Sequence, residues 1–177
     1  DILGTSMQSV GEVMSMASTF TESLTKAIRS LEIGKTGIRN IDNRFINLDK
    51  IELEKEIAIP RPRRIFAVLE ALRRNWSVSK ISDLSHIDDW FLFEIEKSFN
   101  VNQETTPTTI LRMLGWTEDD VETKDIKNEL AEKRVYKLVD TCSAEFSSMT
   151  PYLYSTTGQE SDDITSTKEK VVVIGSG

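Results

Sequence analysis

Apolar residues recur along this chain first at helical spacing and later in alternation, and the switch falls near Arg134. Ahead of the helical pattern, residues 1–18 carry Met7, Met14 and Met16 without a clean period and read as irregular or short-strand structure. Phe20, Leu24, Ala27, Ile28 and Leu31 then repeat as one helix face, behind the capping-box pattern Thr19-Phe20-Thr21-Glu22 and ahead of a stop at Gly34. Residues 35–48 read as a loop anchored by Ile38, Ile41 and Phe45, followed by a short helix from about Asp49 to Ile57. Pro60 and Pro62 bracket the next start. Pro62 suits a first helical turn, with Ile65, Leu69 and Leu72 as the stripe beyond it. Ser77 can cap a helix carrying Val78, Ile81 and Leu84, and a further helix is expected from about Asp88 to Phe99. On that helix Phe91, Leu92, Ile95 and Phe99 share a stripe, so Phe91, Leu92 and Ile95 are expected to face the core while Trp90 and Phe93 point away. Thr106-Pro107 opens another helix through Leu114 with Gly115 as its stop, and Thr117-Glu118 opens the next. A charged segment from about Thr123 to Arg134 keeps Ile126 and Leu130 as its regular apolar contacts.

Beyond Arg134 the period drops to two. Val135-Tyr136-Lys137-Leu138-Val139 alternates and is β-prone, and the chain runs on through Asp140-Thr141-Cys142 and Pro151-Tyr152-Leu153-Tyr154. The polar stretch Gly158 to Lys168 reads as a surface linker. After Lys168-Glu169-Lys170, the run Val171-Val172-Val173-Ile174 reads as a buried parallel strand, and Gly175-Ser176-Gly177 stands where a nucleotide-binding α/β unit makes its first turn. An ordinary terminal strand with a short polar tail is the plainer alternative. These patterns predict an all-α body of several helices, an extended C-terminal arm, and truncated α/β segments at its flanks, as in a piece of a larger protein. No repeat of 20–50 residues is found.

Composition narrows the function classes. A formal net charge of −7 argues against binding a nucleic-acid backbone, which needs concentrated positive charge. No apolar stretch approaches the roughly 18 residues of a membrane span, so no membrane partner is expected. No basic segment followed by an apolar one suggests a signal peptide. The single cysteine, Cys142, rules out an internal disulfide framework and fits a reducing compartment, with cytoplasm, or an organelle interior reached after loss of a targeting segment, as the expectation.

Candidate chemistry is sparse. His86 is the single histidine and falls between two predicted helices, where a loop or capping role is expected; Cys142 reads as a structural thiol. Glu12, flanked by small and apolar residues, fits either a buried site or an exposed turn, and Glu118-Asp119-Asp120 suits a helix N-terminus better than a metal. Arg61, Arg63, Arg64, Arg73 and Arg74 form a basic set expected to be solvated or to pair with acidic helices. No catalytic, cofactor-binding or metal-ligating residue is assigned. Ser77 to Phe99 has the length of a helix-turn-helix, but its second helix offers Asp88, Asp89, Trp90, Phe91, Phe93, Glu94 and Glu96 where base readers need Arg, Lys, Asn or Gln. Leu114-Gly115-Trp116 resembles the turn of ubiquitin-associated modules. An enzyme domain acting alone, and a free-standing interaction module of either of those kinds, are the competing classes.

Taken in order, several segments resemble the large subunit of carbamoyl-phosphate synthetase around its helical oligomerisation domain. Thr5 to Met14 is similar to the closing segment of the first ATP-grasp unit, and Phe20 to Glu32 to the helix that follows. Arg64-Ile65-Phe66, Ser77-Val78, Ile87 to Leu92 and Leu114-Gly115-Trp116-Thr117 resemble the helical domain; Val135 to Phe146 and Tyr152 to Thr156 resemble its exit arm; Glu169 to Gly177 resembles the first strand of the second unit. The chain departs at Ala17-Ser18, where the family usually has Gly-Arg, at Gln8, where lysine is usual, and at Val101 to Pro107, which looks shortened. The resemblance implies three parts: residues 1–34 closing the first synthetase unit, 35–157 a helical oligomerisation and connector domain, and 158–177 a linker and first strand of the second unit. It implies a parent that makes carbamoyl phosphate from bicarbonate, glutamine-derived ammonia and two ATP, for arginine or pyrimidine synthesis. ATP and Mg2+ (or Mn2+) would then be bound outside this chain. The implied partners are the flanking ATP-grasp units, other large-subunit copies and a glutaminase subunit or domain. Glu12 would lie at the edge of the first unit.

Overall fold

The computed structural model describes residues 5–6, 12–40, 42–132, 134–142, 144–147, 152–162, 167–171 and 173. Helices dominate them. α1 (Phe20–Ser30) begins where Thr19 accepts the Glu22 backbone N–H at 3.3 Å, and ends in a turn with Glu32 at φ 52° and Gly34 at φ 74°. The reciprocal half of the expected capping box is not made, because the Glu22 carboxylate accepts instead from the Thr156 hydroxyl at 2.7 Å. α2 (Asn43–Ile46) is one turn of helix inside the expected loop, capped by Asp42. Its last carbonyls, on Phe45 and Ile46, accept from the Arg74 guanidinium at 2.7 and 2.8 Å, a long-range partner that local sequence does not reveal. Ile41 lies outside the described residues.

α3 (Lys50–Ala58) opens with a full capping box, Glu52 N–H to Asp49 at 2.8 Å and Asp49 N–H to Glu52 at 3.0 Å. α4 (Arg64–Arg73) starts two residues beyond Pro62, so that proline occupies the preceding turn rather than the first helical turn. α5 (Val78–Ser85) and α6 (Asp89–Phe99) start at Ser77 and Asp88, each side chain accepting a backbone N–H of its first turn. α7 (Thr108–Met113) stops at Gly115, φ 81°, and a single 3-10 turn, Glu118–Asp120, replaces the helix expected after Thr117. α8 (Lys124–Glu132) leads into β1 (Val135–Leu138), which pairs antiparallel with β2 (Leu153–Thr156), Val135 opposite Thr156 and Leu138 opposite Leu153.

The arm beyond Arg134 is therefore not simply extended. It returns on itself as a two-stranded ladder, so the body is mostly helical rather than all-α. At the run from Val171, the described Val171 and Val173 are 90% and 87% exposed and are not part of a strand. Val172 and Ile174 to Gly177 lie outside the described residues.

α4 is the centre of the main core. Phe66, Ala67, Val68, Leu69, Ala71 and Leu72 are all buried there, and α2, α3, α5 and α6 pack around it. Arg73 and Arg74 both grip the buried Glu70 at 2.7–2.8 Å, which lets one carboxylate stay ionised inside. α6 brings Leu92 and Ile95 into this core at 0% and 2% exposure, each side chain contributing about 1.5–3 kcal/mol by leaving water. Phe91 does not join them. At 41% exposure it sits at the rim, tilted against Phe20 and edge-on to Trp90 at ring-centre distances of 5.1 and 5.0 Å. A second, smaller core of Leu111, Trp116, Val121 and Leu130 lies between α7 and α8.

Candidate functional site

Two surfaces stand out. On the first, the half of α6 that does not enter the core exposes Trp90 at 54%, Phe91 at 41% and Phe93 at 51%, with Phe20 of α1 tilted against both Trp90 and Phe91. The sequence pattern anticipated Trp90 and Phe93 on this face. Adjacent exposed aromatics on a helix anchored from behind are the composition expected of a protein contact rather than of a solvated face.

The second surface is the junction where α1 meets the end of α7 and the β1–β2 arm. Three threonines of α1 and its cap face the α7 terminus: Thr19 and Thr21 donate to the Met113 carbonyl at 2.5 and 2.7 Å, and Thr25 donates to the Gly115 carbonyl at 3.0 Å. These hydroxyls satisfy carbonyls that a helix end leaves open. The approach is close enough to require Gly115, since a Cβ there would stand 2.7 Å from Thr25 Oγ1 and 2.9 Å from the Thr21 carbonyl. On the other side of α1, the Ser18 N–H donates to Thr156 Oγ1 at 2.9 Å, and the Thr156 hydroxyl donates to the buried Glu22 carboxylate. Lys26 completes the junction by donating to the Met16 carbonyl at 2.7 Å and to the Ser155 carbonyl.

Beside this junction opens a cleft of about 320 Å³. Arg112, Arg134 and Arg29 converge there on Glu118, at 3.2, 2.8 and 3.9 Å. Burial holds the Arg112 guanidinium below its ordinary range, and the neighbouring Arg134 adds to the effect against Glu118. Burial likewise lowers Lys26, against Glu22 and with Arg134 and Arg112 contributing in the same direction. Glu118 moves the other way: burial would raise it, but its own backbone N–H and the arginines hold its carboxyl below the usual range.

The residues singled out from sequence fall elsewhere. His86 is exposed, in a left-handed conformation (φ 57°) that closes α5, its N–H donating to the Ser82 carbonyl at 2.8 Å. Cys142 is half-buried, with its sulfur 3.8 Å from the Thr141 hydroxyl, and Glu12 is exposed. Asp120 accepts from the Thr117 N–H and hydroxyl, both at 2.7 Å, and among the described residues no three His, Cys, Asp or Glu side chains are grouped to hold a metal. In the basic set, Arg61 pairs with Glu56, Arg63 with Asp42, and Arg73 and Arg74 with Glu70, as expected of ion pairs with acidic neighbours. Trp116, in the Leu-Gly-aromatic turn, is buried, with its indole N–H donating to the Ser98 carbonyl at 3.1 Å and Arg39 over its ring at 3.8 Å. The Lys26–Arg29–Arg112–Arg134 group was not visible in sequence, because its members are scattered between residues 26 and 134.

Comparison with known proteins gives a consistent match. Residues 12–122 match the family described as carbamoyl-phosphate synthetase large chain, oligomerisation domain. Similar proteins include the carbamoyl phosphate synthase large chains of Caldanaerobacter subterraneus (38% identical over 191 residues, covering 99% of this chain), Deinococcus radiodurans (36% over 197, covering 100%) and Archaeoglobus fulgidus (34% over 199, covering 99%). The chain spans 18–19% of the length of these relatives.

Proposed function

Since the chain belongs to the carbamoyl-phosphate synthetase large-chain family and comprises its oligomerisation domain, we propose that it is a non-catalytic connector that holds two ATP-grasp units in relation and meets other large-chain copies through α6. Residues 1–34 close the first unit, residues 35–157 form the connector, and residues 158–177 run toward the second. The parent enzyme is then an ATP-dependent ligase that makes carbamoyl phosphate from bicarbonate, two ATP and ammonia released from glutamine by a partner subunit or domain. It acts in arginine or pyrimidine synthesis, in the cytoplasm or an organelle interior, with ATP and Mg2+ or Mn2+ bound by the flanking units.

One observation carries the oligomer reading: α6 is two-sided, with Leu92 and Ile95 sealed in the core while Trp90, Phe91 and Phe93 stand in solvent. Exposed aromatics of this kind are what a partner surface buries at its centre. Sedimentation velocity tests it. The chain should exceed its monomer mass of 20.1 kDa as concentration rises, and the double variant Trp90→Ser/Phe93→Ser should remain monomeric with unchanged helix content. A wild-type chain that stays monomeric at every concentration, or a double variant that still associates, removes α6 as the contact.

A further inference from the structure

The cleft beside α1 holds more positive charge than its own carboxylates neutralise. Lys26, Arg29, Arg112 and Arg134 line it against Glu22 and Glu118, four cations to two carboxylates and so an excess of two. This stands in a chain whose formal net charge is −7. The three guanidiniums crowd one carboxylate, whose oxygens offer about four lone-pair sites against five N–H donors on each arginine. Lys26 donates to two neutral carbonyls, and Glu22 is engaged by Thr156 and Ser18.

We propose that this cleft binds a dianionic phosphoryl group, either as inorganic phosphate or as the phosphate of a small metabolite. The charge excess matches a dianion and would leave a monoanionic carboxylate one charge short. Arginine forks fit phosphate oxygens in pairs, and a lysine at the side supplies a point charge. A volume of about 320 Å³ lies at the small end of the roughly 300–1,000 Å³ found for small-molecule sites, room for a phosphate and a short organic remainder. Access and depth are both present. The Arg29 and Arg134 side chains are 47% and 35% exposed, whereas that of Arg112 is 11% exposed. The lowered proton affinity of Arg112 and Lys26 fits cations buried without enough counter-charge, a state that a bound dianion relieves. This site is separate from α6 and does not depend on the connector reading.

Calorimetric titration of the 177-residue chain with inorganic phosphate, glycerol 2-phosphate, acetate and chloride, at matched ionic strength, tests it. Phosphate or the phosphomonoester should bind saturably, with acetate no better than chloride. The double variant R29Q/R134Q should bind at least about tenfold more weakly, the scale of losing charge-assisted hydrogen bonds. E118Q should bind more tightly, because it releases three guanidiniums toward the ligand. A purely structural ion cluster predicts the opposite, a destabilised variant with no gain in anion affinity. Phosphate indistinguishable from chloride, acetate as effective as phosphate, or a folded E118Q with unchanged or weaker binding would each overturn the proposal. If E118Q does not fold, the phosphate–acetate contrast and R29Q/R134Q decide it.

Discussion

Truncating Leu92 and Phe91 separately to alanine tests the orientation of α6, because the two are adjacent and environment decides the outcome. Leu92 is 0% exposed, on a helix packed against α1, α4 and α5. Little collapse into the space is available, so Leu92→Ala should fall in the upper part of the 2.7–5.0 kcal/mol range, at about 4 kcal/mol. Phe91 is the larger side chain but is 41% exposed. Its loss leaves a notch that water fills, so the cavity contribution vanishes. About six-tenths of a 1.5–3 kcal/mol transfer gain, plus about 0.5–1.5 for its ring contacts, gives roughly 2 kcal/mol. Urea unfolding followed by far-UV circular dichroism should show the Leu92→Ala midpoint falling by about 2 M at an m value near 2 kcal/mol/M, and that of Phe91→Ala by about half as much. A Phe91→Ala loss equal to or above that of Leu92→Ala would place Phe91 in the core, and the orientation of α6 described above would be wrong.

Gly115→Ala should cost about 2–5 kcal/mol, combining a left-handed backbone with the crowding of Thr25 and Thr21, and a loss below about 1 kcal/mol in the same urea assay would contradict that close approach. Thr156→Val removes the hydroxyl shared by Ser18 and Glu22; amide hydrogen exchange should quicken at Ser18 and along β1 and β2 while α4 keeps its protection, and unchanged exchange in the arm would count against the junction. Although burial raises the Glu70 carboxyl, hydrogen bonds from Arg73 and Arg74 hold it below the usual range. Its folded pKa is thus the lower one, so its contribution is present above about 4.3, the ordinary glutamate value, and fades as pH falls through the folded value. Urea midpoints measured against pH should decline less steeply below that point in Glu70→Gln than in the wild type, and parallel curves would refute the assignment. Calorimetric titration with Mg-ATP should show no binding tighter than about 10 µM, roughly −7 kcal/mol, as the connector reading expects; a lower dissociation constant that survives in R29Q/R134Q, and so does not come from the cleft, would restore the enzyme reading.

Most helix starts were legible in sequence, though the local cap at Thr117 opens only a 3-10 turn. Thr19, Asp49, Ser77 and Asp88 each cap the helix predicted behind them, and Gly115 ends α7, because a cap and its partner lie within a few residues. Where the deciding contact is distant, the reading failed. α2 appears inside a predicted loop with its end held by Arg74, and the arm folds back through pairing of β1 with β2 and of Thr156 with Glu22. Phe91 was misplaced because it lies at the edge of the α6 stripe, where periodicity alone cannot tell the core from its rim. The cleft cations were missed for the same reason as the arm: Lys26, Arg112 and Arg134 become neighbours only once α1, α7 and β1 are in place.

The bond from the Ser18 N–H to the Thr156 hydroxyl joins positions 138 residues apart. The approach to α1 and the end of β2 therefore lie side by side, and the helices α1 to α8 are strung between them. Changes of length in the loops that join those helices need not part Ser18 from Thr156, so such loops can vary without opening this closure.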